Sequence, residues 1–347
     1  MPSLNPPRKV LVSGASGYIA AWIVRTLLER GYTVRGTVRS LAKGEHLKET
    51  FKSYGNKLEI VVVDDMSKVP CNGAFDEAVK DVDAILHTAS PVQLNADDPQ
   101  ELIAPAVKGT VGMLTSAAKY GSSVRRIVVT SSCAALVRSE PGTITLSEVD
   151  WNEQAPKEVE EQGRDASPIA KYRASKALAE KAAWSFYEGH KSEFSWDLTM
   201  INPPWVFGPF IHDVPTLNSL NVSAKVWYDN VVQGNVGRLS PDAILTQPGT
   251  AWVDVRDLAE AHVRALEVEA AGGERIIVSA GPCVWQDCIN ATQSVSTSRI
   301  LPKPVLGDVK YAVIFDTSKE KRLLGLKFRT MEETSRDVLA DFDRLGW

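Results

Sequence analysis

The strongest constraint in this chain is a turn of small residues near its start. Lys9–Ser13 (KVLVS) is an apolar run too short for a helix, and it leads into Gly14-Ala15-Ser16-Gly17-Tyr18-Ile19-Ala20. From Tyr18 to Arg30 the apolar residues recur at helical spacing, and Gly31 stands where a helix end favours glycine. A strand, a tight turn and a helix in that order bring the helix's unpaired amides to the strand end, where a phosphate is attracted. Gly14 permits the turn, Gly17 lets the backbone approach a pyrophosphate, and Ala20 is small enough for close helix–sheet packing. The spacing alone is a weak signal. The strand before it and the helix after it give it weight.

The alternation of strand and helix continues along the chain. Strands are expected at 33–38, 58–63, 84–88, 126–131 and 198–201, with helices at 75–79, 101–120 and 169–190. Residues 209–248 mix prolines, polar turns and isolated aromatics. A short strand at 251–254, a helix at 258–267, a strand at 275–278 and an amphipathic helix at 331–345 follow. This pattern predicts an α/β chain: a Rossmann doubly wound parallel sheet with a small C-terminal α/β substrate lobe. Residues 1–202 are expected to form the dinucleotide-binding domain, with segments near 250–278 returning to it. Residues 203–249 and 279–347 are expected to form the lobe.

Composition narrows the function classes. The 347 residues are 44% hydrophobic and 24% charged, as in ordinary soluble domains. A net charge of -4, a pI near 5.8 and scattered basic residues argue against a nucleic-acid partner. No stretch has the length and apolarity of a signal-peptide core or a bilayer span, so a cytoplasmic protein without membrane contact is expected. Cys71, Cys133, Cys283 and Cys288 have no metal-ligand spacing and are expected as free thiols, with no metal bound.

The end of the second strand selects the cofactor. An NAD-selective site usually carries an acid there to accept from the ribose hydroxyls. This chain has Arg39 about twenty residues past the glycine turn, with Ser40 and Lys43 behind it. A guanidinium at that point can grip a 2′-phosphate, so NADPH/NADP+ is expected over NADH. Arg35 is expected to be solvated surface charge. Asp64-Asp65, ending the third strand, can accept from an adenine amino group. His87, in His87-Thr88-Ala89-Ser90, is expected to pack against the sheet and take no part in chemistry.

A second motif carries reactivity. Tyr172 and Lys176 stand four apart on the long alanine-rich helix, hence on one face and one turn apart. A lysine ammonium beside a phenol is expected to lower the phenol's pKa and make it a usable proton donor. Ser132, in Ser131-Ser132-Cys133 at the fifth strand's end, is placed to hydrogen-bond a substrate oxygen. Ser131 is expected either to contact the cofactor or to cap the strand. Cys133 is expected to line the pocket and not to act as a nucleophile.

Together these residues resemble an extended short-chain dehydrogenase/reductase. The chain is most similar to the group holding dihydroflavonol 4-reductase and the yeast and fungal aldehyde/ketone reductases. VLVSGASGYIA, GYTVRGTVRS, VVVDDM, HTASPV, VVTSSCA, YRASK, INPPWVFGP, WVDVRDLAEAH and GLKFRTMEETSRDVL carry the resemblance through nearly the whole chain. It implies a catalytic Ser132, Tyr172 and Lys176 and hydride transfer from NADPH to a carbonyl carbon. Implied cofactor contacts are Gly14, Ser16, Gly17, Tyr18, Ile19, Arg39, Lys43, Asp65, Met66, Thr88, Ala89, Ser90, Thr130, Tyr172, Lys176, Pro203 and Val206. The substrate pocket is expected from Pro91, Val92, Cys133, Ala134, Pro204, Trp205, Phe210 and Trp227, a mostly apolar set suited to hydrophobic ketones, aldehydes or keto esters. Asn202-Pro203-Pro204-Trp205-Val206 stands where plant cinnamoyl-CoA reductases carry Asn-Trp-Tyr-Cys-Tyr, which weighs against a CoA thioester. A monomer or homodimer is expected. The competing readings are a nucleotide-sugar epimerase or dehydratase, disfavoured by Arg39 and Cys133, and a non-catalytic NADP sensor, disfavoured by the intact Tyr172–Lys176 pair.

Overall fold

The structure is a computed structural model that describes residues 3–63, 73–90, 96–235, 240–247, 249–296, 302–303, 305 and 307–347. In chain order its first half contains β1 (Lys9–Ser13), α1 (Tyr18–Glu29), β2 (Thr33–Val38), α2 (Leu41–Thr50), β3 (Leu58–Val62), β4 (Ala84–His87), α3 (Gln100–Tyr120) and β5 (Arg126–Thr130). β6 (Ile144–Leu146), α4 (Gln154–Gln162), α5 (Pro168–His190), β7 (Asp197–Asn202), β8 (Trp205–Phe207), α6 (Val222–Trp227) and α7 (Pro241–Thr246) follow. The chain closes with β9 (Thr250–Asp254), α8 (Val255–Glu267), β10 (Arg275–Ile277), β11 (Gly281–Cys283), α9 (Trp285–Val295), β12 (Val313–Phe315), α10 (Ser318–Leu323) and α11 (Met331–Leu345).

Seven strands form one parallel sheet in the order β10-β7-β5-β4-β1-β2-β3. Strand alternation divides the core. Val10 and Val12 of β1 join a cluster with α1 and α8, whereas Leu11 faces a second cluster with Met113 and Leu114 of α3. Both faces are therefore covered, as a parallel sheet requires. The order reverses between β1 and β4, so a crevice opens at their carboxyl ends.

Beyond β7 the chain builds a three-stranded sheet, β11-β9-β8, and β12 pairs with β6. Residues 250–254, grouped by pattern with the returning segment, pair with β8 and β11 in this smaller sheet. α8 and β10 rejoin the large fold. β6, β8, β11 and β12 were not expected from the sequence. Each is only three residues long, too short for period-two alternation to register. Residues 75–79, expected as a helix, form successive turns, with bonds from the Asp76 amide to Gly73 and from the Val79 amide to Phe75.

Arg35 corrects the expectation of a surface charge. It is buried, donates to the Ala78 and Lys80 carbonyls, and pairs with Glu59 on β3, so it ties the turn segment to the sheet edge. Arg126 is more deeply placed, at 0% exposure. Its Nε and Nη2 fork the Asp197 carboxylate at 2.6 and 2.8 Å, and its Nη1 and Nη2 donate to the carbonyls of Ala265, Val268 and Glu269. One guanidinium thus joins β5, β7 and the exit of α8. Gly272 is small for this reason, since a Cβ there would lie 2.0 Å from Asp197 Oδ2. Arg126→Met leaves the buried carboxylate without its fork, and the expected loss is about 3–5 kcal/mol of unfolding free energy. Urea denaturation checks this, and a loss near zero contradicts the staple.

Candidate active site

The glycine turn closes the carboxyl end of β1. Gly14 has φ +65, which favours glycine, and its missing side chain admits Ala89, whose Cβ would lie 3.1 Å from a Cβ at Gly14. Gly36 on β2 is bare for a similar reason, because a Cβ there would come within 2.8 Å of Ala15 Cβ. The Ala15 amide donates to the Thr37 carbonyl at 2.8 Å, and the Gly17 amide to the Gly14 carbonyl at 2.8 Å. α1 then starts with no side-chain cap and no acid in its first turn. Its positive end faces the crevice uncompensated, the electrostatic arrangement that a pyrophosphate fits.

The Ser13 hydroxyl, fully buried, joins β1 to the end of β4. Its Oγ accepts from the Thr88 amide at 3.0 Å and the Ala89 amide at 3.1 Å, and bonds His87 Nδ1 at 2.9 Å. With both lone pairs engaged, the hydroxyl proton goes to Nδ1, so neutral His87 carries its proton on Nε2. Burial, and then the positive charge of Lys176, hold the His87 pKa down to about 4. His87 is thus a packed, neutral residue edge-on to Phe75, in keeping with its expected structural role.

Tyr172 and Lys176 project from α5 toward this crevice. Lys176 Nζ lies 5.8 Å from the Tyr172 ring centroid and donates to Ser90 Oγ at 2.9 Å. The Tyr172 hydroxyl lies near Ser132, whose hydroxyl favours the phenolate. Ser132 sits in extended backbone just past β5, where its Oγ accepts from the Ala134 amide at 3.1 Å and its carbonyl accepts from Asn202 Nδ2 at 3.2 Å. Ser132, Tyr172, Lys176 and Ser90 therefore converge at the carboxyl ends of β4 and β5.

The electrostatics depart from expectation in one respect. Burial pushes the Tyr172 phenol above its ordinary pKa; the Ser132 hydroxyl pulls it down and the nearby Cys133 adds to the rise. Burial also lowers Lys176 to about 8, opposed by the negative charge of Glu180. The net shift of the phenol is upward, opposite to the lowering expected from Lys176. Desolvation favours the neutral form of both groups.

Other expected residues fall in several places. Gly17 is exposed and Ser16 and Ile19 are half-buried at the turn. Arg39 is exposed just past β2. Lys43 pairs with Asp213 at 3.4 Å, so its charge is shared with the smaller lobe. Thr130 turns to α8, where its Oγ1 bonds His262 Nε2 at 2.8 Å. Ser131 is buried and donates to Glu180. Pro203 is buried, and its carbonyl accepts from the Cys133 amide at 2.9 Å. The Cys133 thiol bonds the Asn202 carbonyl at 3.2 Å, and burial pushes its pKa well up, which makes it a poor nucleophile. Ala134, Pro204 and Trp205 are half-buried, whereas Val206 lies in the core. Asp65, Met66, Pro91, Val92, Asp64 and Cys71 lie outside the described residues.

Three residues expected to touch ligands are structural. Tyr18 is buried and donates to the Gly208 carbonyl at 2.8 Å, so only its backbone remains for a cofactor. Phe210 and Trp227 pack on Phe342, with ring centroids 5.3 and 6.2 Å away, in the core of the smaller lobe. A sequence shows that an aromatic is present, not which side of a wall it faces. Ser13, Glu180 and Asn202, none of them expected at the site, hold its elements together. Glu180 had one signal, an acid one turn after Lys176 among alanines.

This geometry has counterparts. Residues 10–281 match the model of the NAD dependent epimerase/dehydratase family. The chain belongs to that family. Among its members it is similar to "Ketoreductase azaE" of Aspergillus niger, 38% identical over 96% of this chain and 96% of that one. The NADPH-dependent methylglyoxal reductase GRE2 of Saccharomyces cerevisiae is 36% identical over 95% of this chain and 96% of its own. The solved structure of yeast methylglyoxal/isovaleraldehyde reductase Gre2 complexed with NADPH superimposes with a TM-score of 0.82 at 35% identity, covering 97% of this chain and 99% of that one. The resemblance to the fungal aldehyde/ketone reductases within the extended group is borne out by these relatives. Among the described residues no set of three or more His, Cys, Asp or Glu is grouped to hold a metal, and no helix is long and apolar enough to cross a membrane.

The lowered Lys176 carries a stability signature. An unfolded chain keeps this lysine protonated up to its ordinary 10.5, while the folded protein releases the proton near 8. Between these values the unfolded state binds more protons, so this group's contribution to stability rises with pH across that window. The stability of the native protein minus that of Lys176→Met is expected to increase from pH 8 to 10.5 in urea titrations. A flat difference contradicts the burial of the charge.

Proposed function

We infer that this protein is an NADPH-dependent carbonyl reductase that converts hydrophobic ketones, aldehydes or keto esters to alcohols. The observation that carries this reading is the meeting of Ser132, Tyr172 and Lys176 beside the uncapped start of α1, in a chain alike end to end to fungal reductases. The residues suit the dinucleotide: open α1 amides for the pyrophosphate, exposed Arg39 for a 2′-phosphate, and the Lys176 ammonium for ribose hydroxyls. When bound, NADPH supplies the hydride that a carbonyl carbon accepts.

The chain's own groups handle the oxygen. Ser132 Oγ orients the carbonyl, and the neighbouring Tyr172 hydroxyl gives its proton to the oxygen as negative charge develops. The raised phenol pKa suits this direction, because the proton stays on Tyr172 at neutral pH. Lys176 balances the phenolate left behind. Ala134, Pro204 and Trp205, apolar and half-buried past β5 and β7, favour an apolar substituent over a charged sugar nucleotide.

NADPH consumption measured over ketones, aldehydes and keto esters, with chiral analysis of the products, tests the reading. Tyr172→Phe is expected to lower kcat by about 10²–10⁴-fold with NADPH affinity nearly unchanged. Full activity in that variant removes Tyr172 as the acid.

Arg39→Glu separates the cofactor assignment from the chemistry. Losing a charged donor to the phosphate is expected to reduce the NADPH-over-NADH preference by about 10- to 100-fold. An unchanged ratio of kcat/KM for the two cofactors contradicts the phosphate role.

A further inference from the structure

Behind the reactive face of α5 lies a carboxylate that the mechanism above does not use. Glu180 follows Lys176 by one helical turn and is 2% exposed. It accepts three hydrogen bonds: from Ser131 Oγ, from Asn202 Nδ2 at 2.8 Å, and from Arg275 Nε at 2.6 Å. These donors come from the ends of β5 and β7 and from β10. Asn202 Nδ2 also donates to the Ser132 carbonyl at 3.2 Å. The carboxylate therefore holds Ser131 directly and the Ser132 backbone through Asn202. Glu180 and Lys176 both line one cavity of 20 Å³, together with Ser90, Thr130 and Ser131.

A buried carboxylate is costly unless paired, and the pairing here is itself elaborate. Arg275 lies 3.7 Å over the Trp151 ring and donates to the Glu148 and Asp150 carbonyls at 2.5 and 3.0 Å. The Glu148 carboxylate accepts from the Ile277 amide at 3.1 Å. The sheet alone already aligns β5 with β7, since the Ser131 amide donates to the Ile201 carbonyl at 2.8 Å. Holding the strands together does not require a carboxylate under Lys176.

We propose that Glu180 is a positioning residue: it clamps Ser131 and Asn202 so that Ser132 meets the Tyr172 hydroxyl, and its charge supports the Lys176 ammonium. This rests on the carbonyl-reductase reading for what the positioned groups do. The charges and titratable groups around the pair are Tyr172 on α5, His87 on β4, Cys133 past β5, Glu148 past β6 and Arg275 on β10. His87 is neutral at working pH, with its pKa near 4. Burial and the negative charges of Glu180 and Glu148 keep the Cys133 thiol protonated. Glu180 is the opposing charge that favours the Lys176 ammonium.

Two variants separate the two roles. In the cofactor-free protein carrying ¹³C-labelled lysine, the Lys176 resonance is identified by its loss in Lys176→Met and titrated against pH. Glu180→Gln, nearly the same shape without the charge, is expected to move the Lys176 midpoint down by about one pH unit or more. An unmoved midpoint in a folded Glu180→Gln protein overturns the electrostatic role. Ser131→Ala keeps the charge and removes one clamp. It is expected to leave the Lys176 midpoint and NADPH affinity unchanged and to lower kcat at least about tenfold. An unchanged kcat overturns the clamp. Glu180→Gln leaves Arg275 without its charged partner; should that protein not fold, Glu180→Asp takes its place. It retains the charge at a shorter reach, so a near-native midpoint with reduced kcat is expected, and native kcat overturns the clamp. The lysine titration needs neither cofactor nor substrate. A wild-type protein that reduces no carbonyl compound therefore sinks the reductase reading, while the titration still decides the charge of Glu180.

Discussion

The crevice depends on one buried hydroxyl. Ser13 ends β1, and its Oγ bonds the residues that leave β4, across the point in the large sheet where strand order reverses. On one side this bond brings Ala89 against Gly14 and so sets the turn that opens α1 toward a phosphate. On the other it delivers Ser90 to the Lys176 ammonium. Without it the backbone amides of Thr88 and Ala89 would lose their acceptor, and the two halves of the site would have no common reference. Net hydrogen-bond energies are modest, near 1 kcal/mol, but three bonds converging on one buried oxygen also remove the freedom of both segments.

The smaller lobe is held by a different device, apolar burial pinned by a few directed bonds. Tyr18 and Trp22 of α1 donate to the carbonyls of Gly208 and Pro209, and the Phe210 amide donates to Asp341 on α11. Phe210, Trp227 and Tyr228 then close on Phe342. α1 thus serves two roles, with its N-terminal amides toward the cofactor crevice and its buried aromatics as the floor under the lobe. That explains why Tyr18, standing inside the glycine turn, is a structural residue.

Along α5, burial acts on both reactive groups. Tyr172 is pushed up and Lys176 down, each toward its neutral form, while Glu180 retains its partners in Arg275, Ser131 and Asn202. Desolvation here is the larger effect, and the charge of Glu180 offsets part of it. A motif of tyrosine and lysine four residues apart states which groups meet, but their proton affinities belong to the surroundings.

The parallel sheet, the glycine turn and the shared helical face of Tyr172 and Lys176 are legible from the chain's own order of residues. These follow from local periodicity and from conformations open mainly to glycine, and neighbours in the chain are enough to specify them. The packing of distant segments makes Phe210 and Trp227 core, buries Arg35, turns Ser131 inward while Ser132 faces Tyr172, and holds Lys176 near 8. Each of those outcomes depends on which distant segment covers a side chain. Burial and its electrostatic cost arise from contacts far apart in the chain, and no local pattern encodes them.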